Sequence, residues 1–217
     1  MALVTRVADL RNRAFAAVYD PLMKSAERGE LGRLRDQVVG SARGAVLEIG
    51  AGTGLNLPRY PAVDRLVATE PEEPMRRRLL GRAGAAPVPV EVIAAPAEAL
   101  PFDDGEFDTV VSTLVLCSVD DLAAAAREVR RVLKPGGRFL FLEHGGGEGK
   151  RAEWQHRLDG VWSAVNAGCH LTRNVTDVLA SADLHPEEIR VLEPRHVPPI
   201  ILPFRLGTAV AGGEGRS

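Results

Sequence analysis

Glu48 and three glycines, Gly50, Gly52 and Gly54, stand at alternate positions in the stretch VLEIGAGTG, residues 46–54. Glycine admits positive φ and places no Cβ between the backbone and a ligand. The apolar run before them, Ala45 to Ile49, reads with them as a buried strand breaking into a tight loop. A loop of this kind, feeding a helix, lets a ligand lie against bare backbone at the carboxyl edge of a parallel sheet. A dinucleotide loop needs glycine at the sixth position of GxGxxG, where this chain has Leu55. A phosphate loop needs a lysine that does not follow here. A glycine-rich turn with no ligand stays open until other positions are weighed.

Other residues could do chemistry at the same edge. Glu70 lies 22 residues after Glu48, at the close of a second apolar run, Arg65 to Thr69. An acid there can accept hydrogen bonds from ribose hydroxyls, or can simply be solvated. Pro71 and Met75 could clamp an aromatic ring, or Met75 could fill the core. The backbone of 95–102 and Glu98 could read the edge of that ring. His144 ends the fifth strand, and its pKa of about 6.5 suits a general base; bonding a loop carbonyl is the alternative. His170 and Arg173 could fold over the site or steady their own loop. Trp154 and Trp162, eight apart on one helix, are expected to be roughly co-facial, walling a pocket or packing the core. Phe15 and Tyr19 could form a lid or pack their helix. Cys117 reads as a small buried residue.

The elements that must position these groups alternate. Residues 6–39 read as two helical segments, with Val7, Leu10, Ala14, Ala17 and Val18 in the first and Leu31, Leu34, Val38 and Val39 in the second, broken by Pro21 and Gly29. Strands are expected at 45–49, 65–69, 90–94, 107–112 and 138–142. Between them fall a short helix closed by Pro61 and a longer one lined by Leu122, Ala125, Ala126, Val129 and Leu133. Ser118 with Asp121 reads as a capping box, and Lys134–Gly137 as the stop. Alternating strands and helices imply right-handed crossovers and a parallel sheet. An amphipathic helix at 151–167 and a helix through Ala182 follow. Ile189–Leu192 and Phe204–Val210 are expected as an antiparallel edge pair, and the tail from Gly212 as disordered.

The 217 residues suit one α/β domain: a helical cap at 1–43, a core at 44–145, and further helices and strands at 146–217. The formal charge of −2 and the scarcity of aromatics argue against a nucleic-acid substrate. Cys117 and Cys169 form no CxxC pair, so no metal site is expected. The start MALVTRVADLRNR lacks the long apolar core of a signal peptide and no window is long enough to span a bilayer, so a cytoplasmic location is the default expectation.

GAGTGLN, AEALPFDDGEFDTVVS and REVRRVLKPGGRFLFLEHG together resemble the class I S-adenosylmethionine-dependent methyltransferases of the small-molecule type 11 group. TLVLCSV at 113–119, the Glu143-His144 pair, Trp154-Gln155, Leu158-Asp159 and GCHLTR at 168–173 are similar to the methyltransferase-like alkyl thiol methyltransferases. The resemblance implies a Rossmann-like sheet of seven strands, mostly parallel with an antiparallel C-terminal strand, helices on both faces and an N-terminal helical addition. It implies S-adenosyl-L-methionine as cofactor: Glu48, Gly50, Ala51 and Gly52 around its methionine part with Asn56 nearby, Glu70 on the ribose, and Pro71 and Met75 flanking the adenine. Ala97 and Glu98 meet the adenine edge, and Thr113 and Leu114 the methionine end. Pro96 departs from the family, where many relatives carry Asp. The polar N-terminus departs from the thiol methyltransferases, where a membrane-anchoring helix is expected ahead of the domain. The implied activity is methyl transfer to a small-molecule acceptor, a thiol among the choices. An amine or hydroxyl acceptor on a lipid-like or natural-product molecule remains open, as does a non-catalytic cofactor-binding module. His144 is the expected base, and Tyr19, Trp154, Trp162, His170 and Arg173 the expected acceptor-side residues. The oligomeric state is not encoded in any motif.

Overall fold

The computed structural model describes residues 2–213, with side chains from Asn12 onward. Helices α1 (Ala2–Arg28) and α2 (Glu30–Val39) lead into strand β1 (Ala45–Ile49). A 3-10 turn at Leu57–Arg59 precedes β2 (Arg65–Thr69), α3 (Glu73–Arg82) and β3 (Val90–Ile93). β4 (Phe107–Thr113), α4 (Leu122–Val132) and β5 (Leu133–His144) complete the first half of the fold's crossovers. α5 (Gly149–Val165), α6 (Thr176–Leu179), β6 (Leu184–Leu192) and β7 (Phe204–Ala211) follow.

The seven strands run in the order β3-β2-β1-β4-β5-β7-β6. The first five pair in parallel, while β7 is antiparallel to both β5 and β6. The expected edge pair is therefore present, but β7 lies inside it and β6 forms the edge. Strand β6 starts at Leu184, five residues earlier than expected. Its Pro186 is tolerated because it falls on the edge strand at a register shift.

Central strands buried on both faces read as continuous apolar runs. Along β5, Phe139 and Phe141 pack on one face with Val110, Val129 and Leu179. Leu140 and Leu142 pack on the other with Val111, Leu34 and Val38. This alternation is the two-residue period of a strand. It puts α1, α2 and α3 on one face and α4 and α6 on the other, so every loop after a parallel strand opens along one edge.

Several local expectations are corrected. Pro21 does not break α1; proline's fixed φ fits a helix even though its missing N–H removes one bond. The chain turns at Gly29, whose φ of −100° and ψ of −137° are non-helical. The side chains of Val7 and Leu10 lie outside the described residues. The N-cap of α4 is Asp121 alone, accepting from Ala124 N at 3.0 Å. Ser118 takes no part; its N–H donates to Val115 O in a turn. Leu133 belongs to β5, opposite Phe107, not to the helix face.

α5 is not amphipathic in the expected sense. Trp154, Leu158, Val161 and Val165 form a stripe on its outer side, and Val161 is 70% exposed. The residue it buries is Gln155, whose Nε2 donates to Ile200 O and Leu202 O, both at 2.9 Å. Of the expected disordered tail, Gly212 donates to Asp183 O, and residues 214–217 lie outside the described residues.

Candidate active site

The loops after β1 to β5 and the inner side of α1 enclose a cavity of about 470 Å³, within the range of small-molecule sites. Its floor is the glycine loop. Gly50 has φ +56°, and a Cβ there would stand 2.4 Å from Val115 Cγ1. The loop after β4 thus approaches only because residue 50 is glycine. Gly52 has φ +58°, and a Cβ on it would meet nothing nearer than Gly50 O at 4.0 Å, so it would project into open space.

Glu70, at the end of β2, lines the cavity and is 6% exposed. Its Oε2 accepts from Gly52 N at 2.8 Å and its Oε1 from Glu72 N at 2.9 Å. Burial raises its pKa, and these two N–H groups oppose that rise. Each oxygen keeps a second lone pair for a ligand hydroxyl. Pro71, Met75 and Ala97 line the same end. Glu98 also lines it, but its Oε1 is engaged by the N–H of Asp120 at 2.6 Å, so it ties the loops after β3 and β4 together.

Glu48 does not line the cavity; it lies beneath the floor. Its carboxylate accepts from Asn56 Nδ2 at 2.8 Å and Tyr60 Oη at 2.9 Å. Burial pushes its pKa up to about 7 against those donors. Asn56 is held on its other side by Arg35 Nη1, which also donates to Thr113 Oγ1 at 2.6 Å. Arg35 comes from α2, is 3% exposed, and pairs with Glu27 at 2.7 Å. No spacing in the sequence marks Arg35, because its partners are 8, 21 and 78 residues away. A second unforeseen tie joins the cap to the loop. Asp20 accepts from Thr53 Oγ1 and from Arg82 Nη2, each at 2.6 Å.

At the other end, Leu114 closes β4 with φ +60° and lines the cavity beside Cys117, Val119, His144 and Trp162. Tyr19 lines it from α1, its ring 5.5 Å from that of Phe15, and burial raises its phenol pKa. His144 is 6% exposed; its Nε2 lies 3.1 Å from Cys169 Sγ and its Nδ1 has no partner among the described residues. Trp162 Nε1 donates to the same sulfur at 3.3 Å. Contact with Cys117 and burial push the Cys169 thiol far up.

Three expected acceptor-side residues fall elsewhere. Trp154 is 56% exposed under the Arg157 guanidinium and does not line the cavity. Eight helical residues leave about 80° between two side chains, so Trp162 faces in while Trp154 faces out. His170 Nδ1 contacts Asp159 Oδ2 at 2.7 Å, and its backbone N–H donates to Cys117 O. Arg173 donates to the carbonyls of Cys117, Val119 and Asp120. Both brace the loop after β4 from behind. Conversely, Cys117, His144 and Cys169 come together from three separate segments, their ligand atoms within 4.8 Å of one another. The lack of a CxxC pair therefore says nothing about this cluster.

Residues 47–141 match the family described as "Methyltransferase domain". The chain is 33% identical over 201 residues to human thiol S-methyltransferase TMT1A, covering 90% of this chain and 82% of that protein. Human TMT1B is 34% identical over 198 residues, covering 87% and 79%.

The chain is a class I S-adenosylmethionine-dependent methyltransferase. Solved methyltransferases share its fold. One from Thermotoga maritima superposes with a TM-score of 0.69 at 22% identity over 93% of this chain and 98% of its own. A geranyl diphosphate C-methyltransferase from Streptomyces coelicolor, in complex with S-adenosyl-L-homocysteine, gives 0.63 at 17% over 83% and 76%. The methyltransferase's own residues suit that cofactor. The space in front of Gly52 is clear, Glu70 has acceptor capacity beside it, and Pro71, Met75 and Ala97 offer an apolar slot. Among the described residues, no helix is long and apolar enough to cross a membrane.

Proposed function

We propose that this methyltransferase transfers the methyl group to the sulfur of a small, largely apolar thiol. The carrying observation is the cavity wall, to which Leu114, Val119, Tyr19 and Trp162 contribute apolar and aromatic surface together with the His144 imidazole. The likeness to the two human proteins named thiol S-methyltransferases supports the same acceptor. When bound, S-adenosylmethionine supplies an electrophilic methyl on a sulfonium. The protein's part is then mainly alignment, and positioning can lower a barrier by roughly 7–11 kcal/mol. In this reading Gly50, Ala51, Gly52 and Asn56 hold the methionine part, Thr113 and Leu114 bound it, and Glu70 fixes the ribose. Pro71, Met75, Ala97 and Glu98 frame the adenine, while Glu48 acts from below by orienting Asn56.

A thiol of pKa about 8.5 needs little help to ionise. The His144 imidazole is the group at hand to take that proton. Tyr19 and Trp162 wall the acceptor. His170 and Arg173 act through the loop after β4 that they brace. We read residues 1–43 as a cap, 44–145 as the cofactor core and 146–217 as the acceptor side of one domain. The two free cysteines fit a reducing, cytoplasmic setting. The small net charge fits a small-molecule acceptor rather than a nucleic acid.

Labelled S-adenosylmethionine offered with a panel of alkyl thiols, amines and phenols tests the reading. Label is expected on thiols. Label confined to amines or phenols would replace the acceptor assignment. Tight S-adenosylhomocysteine binding with no labelled product would make the chain a binding module.

A further inference from the structure

Cys117 follows β4, His144 ends β5, and Cys169 follows α5, yet two thiols and an imidazole meet at the acceptor end of the cavity. One ligand atom from each lies within 4.8 Å of the other two, and His144 Nε2 is already 3.1 Å from Cys169 Sγ. Tetrahedral zinc, with Zn–S of about 2.3 Å and Zn–N of about 2.0 Å, sets S···S near 3.8 Å and S···N near 3.5 Å. The three groups therefore need to move by no more than about an ångström to share one such ion.

The surroundings of His144 and Cys169 bear on this. His144 is buried, and its Nδ1 finds no partner among the described residues. A buried polar atom left so is uncommon and signals a missing partner such as an ion or a water. Nε2, which already faces Cys169 Sγ, is the ligating nitrogen, and Nδ1 points away from the sulfurs, where a water can partner it. Trp162 Nε1 donates to Cys169 Sγ at 3.3 Å, the kind of contact that orients and stabilises a ligating thiolate.

We propose that Cys117, His144 and Cys169 form a three-ligand site for a thiophilic divalent cation, zinc above all, whose fourth position faces the cavity and takes the sulfur of the acceptor. Three protein ligands with one open position is the arrangement of catalytic rather than structural zinc. Two thiolates, one neutral imidazole and the cation sum to zero charge, which suits a buried site. A coordinated thiol gives up its proton outright. The acceptor thiol loses that proton to solvent on ligation, and His144 then serves as ligand rather than base. The acceptor sulfur forms the new S–CH3 bond as the sulfonium C–S bond breaks. The electron pair of the broken bond returns to the donor sulfur, and the thioether product, a weaker ligand, leaves.

The role of the fourth position rests on the thiol reading above; the three-ligand site does not. Cobalt(II) titration of the reduced 217-residue chain separates the two. Stoichiometric binding with intense sulfur-to-metal absorption is expected. C117S and C169S should each weaken it by about 100-fold or more, and zinc should displace it. Folding of each variant is checked by S-adenosylhomocysteine binding. Adding an alkyl thiol should shift the cobalt spectrum, and adding a phenol or amine should not. Absence of stoichiometric binding, or binding untouched in both serine variants, would overturn the site. A spectrum blind to thiols would overturn the open position. Label on thiols without any metal binding would leave the acceptor reading standing and remove this one.

Discussion

Glu48 keeps its proton to near neutrality because burial outweighs its Asn56 and Tyr60 donors and the nearby Arg35 charge. The folded pKa of about 7 lies above the unfolded value of 4.5, so the folded state binds more protons between those limits. Stability supplied by this group is complete below pH 4.5 and is lost as pH rises toward 7, by roughly 3 kcal/mol in all. Denaturant unfolding from pH 4.5 to 7.5 should show that decline, and Glu48→Gln should flatten it. An unchanged slope in the variant would mean that Glu48 is ionised throughout. Glu70 belongs to the same scale. Removing its carboxylate in Glu70→Ala takes away a ribose acceptor and leaves Gly52 N–H without its partner. Calorimetry should find S-adenosylhomocysteine binding weaker by about 10- to 100-fold, the size of hydrogen bonds to a charged group. Unaltered affinity would remove Glu70 from the cofactor site. Both acids could be read in the sequence because each ends an apolar run. That Glu48 works from below the floor could not, since only the fold puts Tyr60 and Asn56 around it.

The strands were the legible elements. β1, β2, β4 and β5 each carry a short apolar run, Val46-Leu47, Leu66–Ala68, Val110-Val111 and Phe139–Leu142, and burial on both faces leaves such runs few alternatives. Helices were less legible where the partner surface is remote. The apolar stripe of α5 predicts a buried face, yet the backbone carbonyls of Ile200 and Leu202 claim Gln155 and turn the stripe outward. The cap helix α1 was readable as a helix, and Tyr19 on it as an acceptor-side residue, but how it is fastened over the glycine loop was not. Asp20 fastens it across the glycine loop, bonding Thr53 and Arg82, and Tyr19 next to it lines the cavity. Asp20→Asn keeps the shape and removes the charge that attracts Arg82. Amide exchange across the middle of α1 should quicken, and S-adenosylhomocysteine should dissociate faster while the sheet amides stay protected. Exchange unchanged in α1 would show that apolar packing alone seats the cap.

For the whole molecule, the question is what makes cap and sheet one cooperative unit around the cavity. Arg35 is the strongest single tie. From α2 it reaches Glu27 on α1, Asn56 after the glycine loop and Thr113 at the end of β4, all from a nearly dry position. Breaking a buried ion pair from one side costs about 3–5 kcal/mol, because the partner charge is left uncompensated. Arg59 also approaches Glu27, at 3.4 Å, and softens that loss. Arg35→Met should therefore lower unfolding stability by a few kcal/mol, toward the lower end of that range, and weaken cofactor binding as Asn56 and Thr113 lose their common donor. Glu27→Gln in the same chain removes the stranded carboxylate, so the double variant should recover much of the stability but none of the cofactor affinity. Measured as a double-mutant cycle, the stability coupling should be positive and the binding coupling near zero. If the second change instead restores binding as well, the cap governs the site through its position alone, and the direct bonds of Arg35 to Asn56 and Thr113 carry no weight of their own.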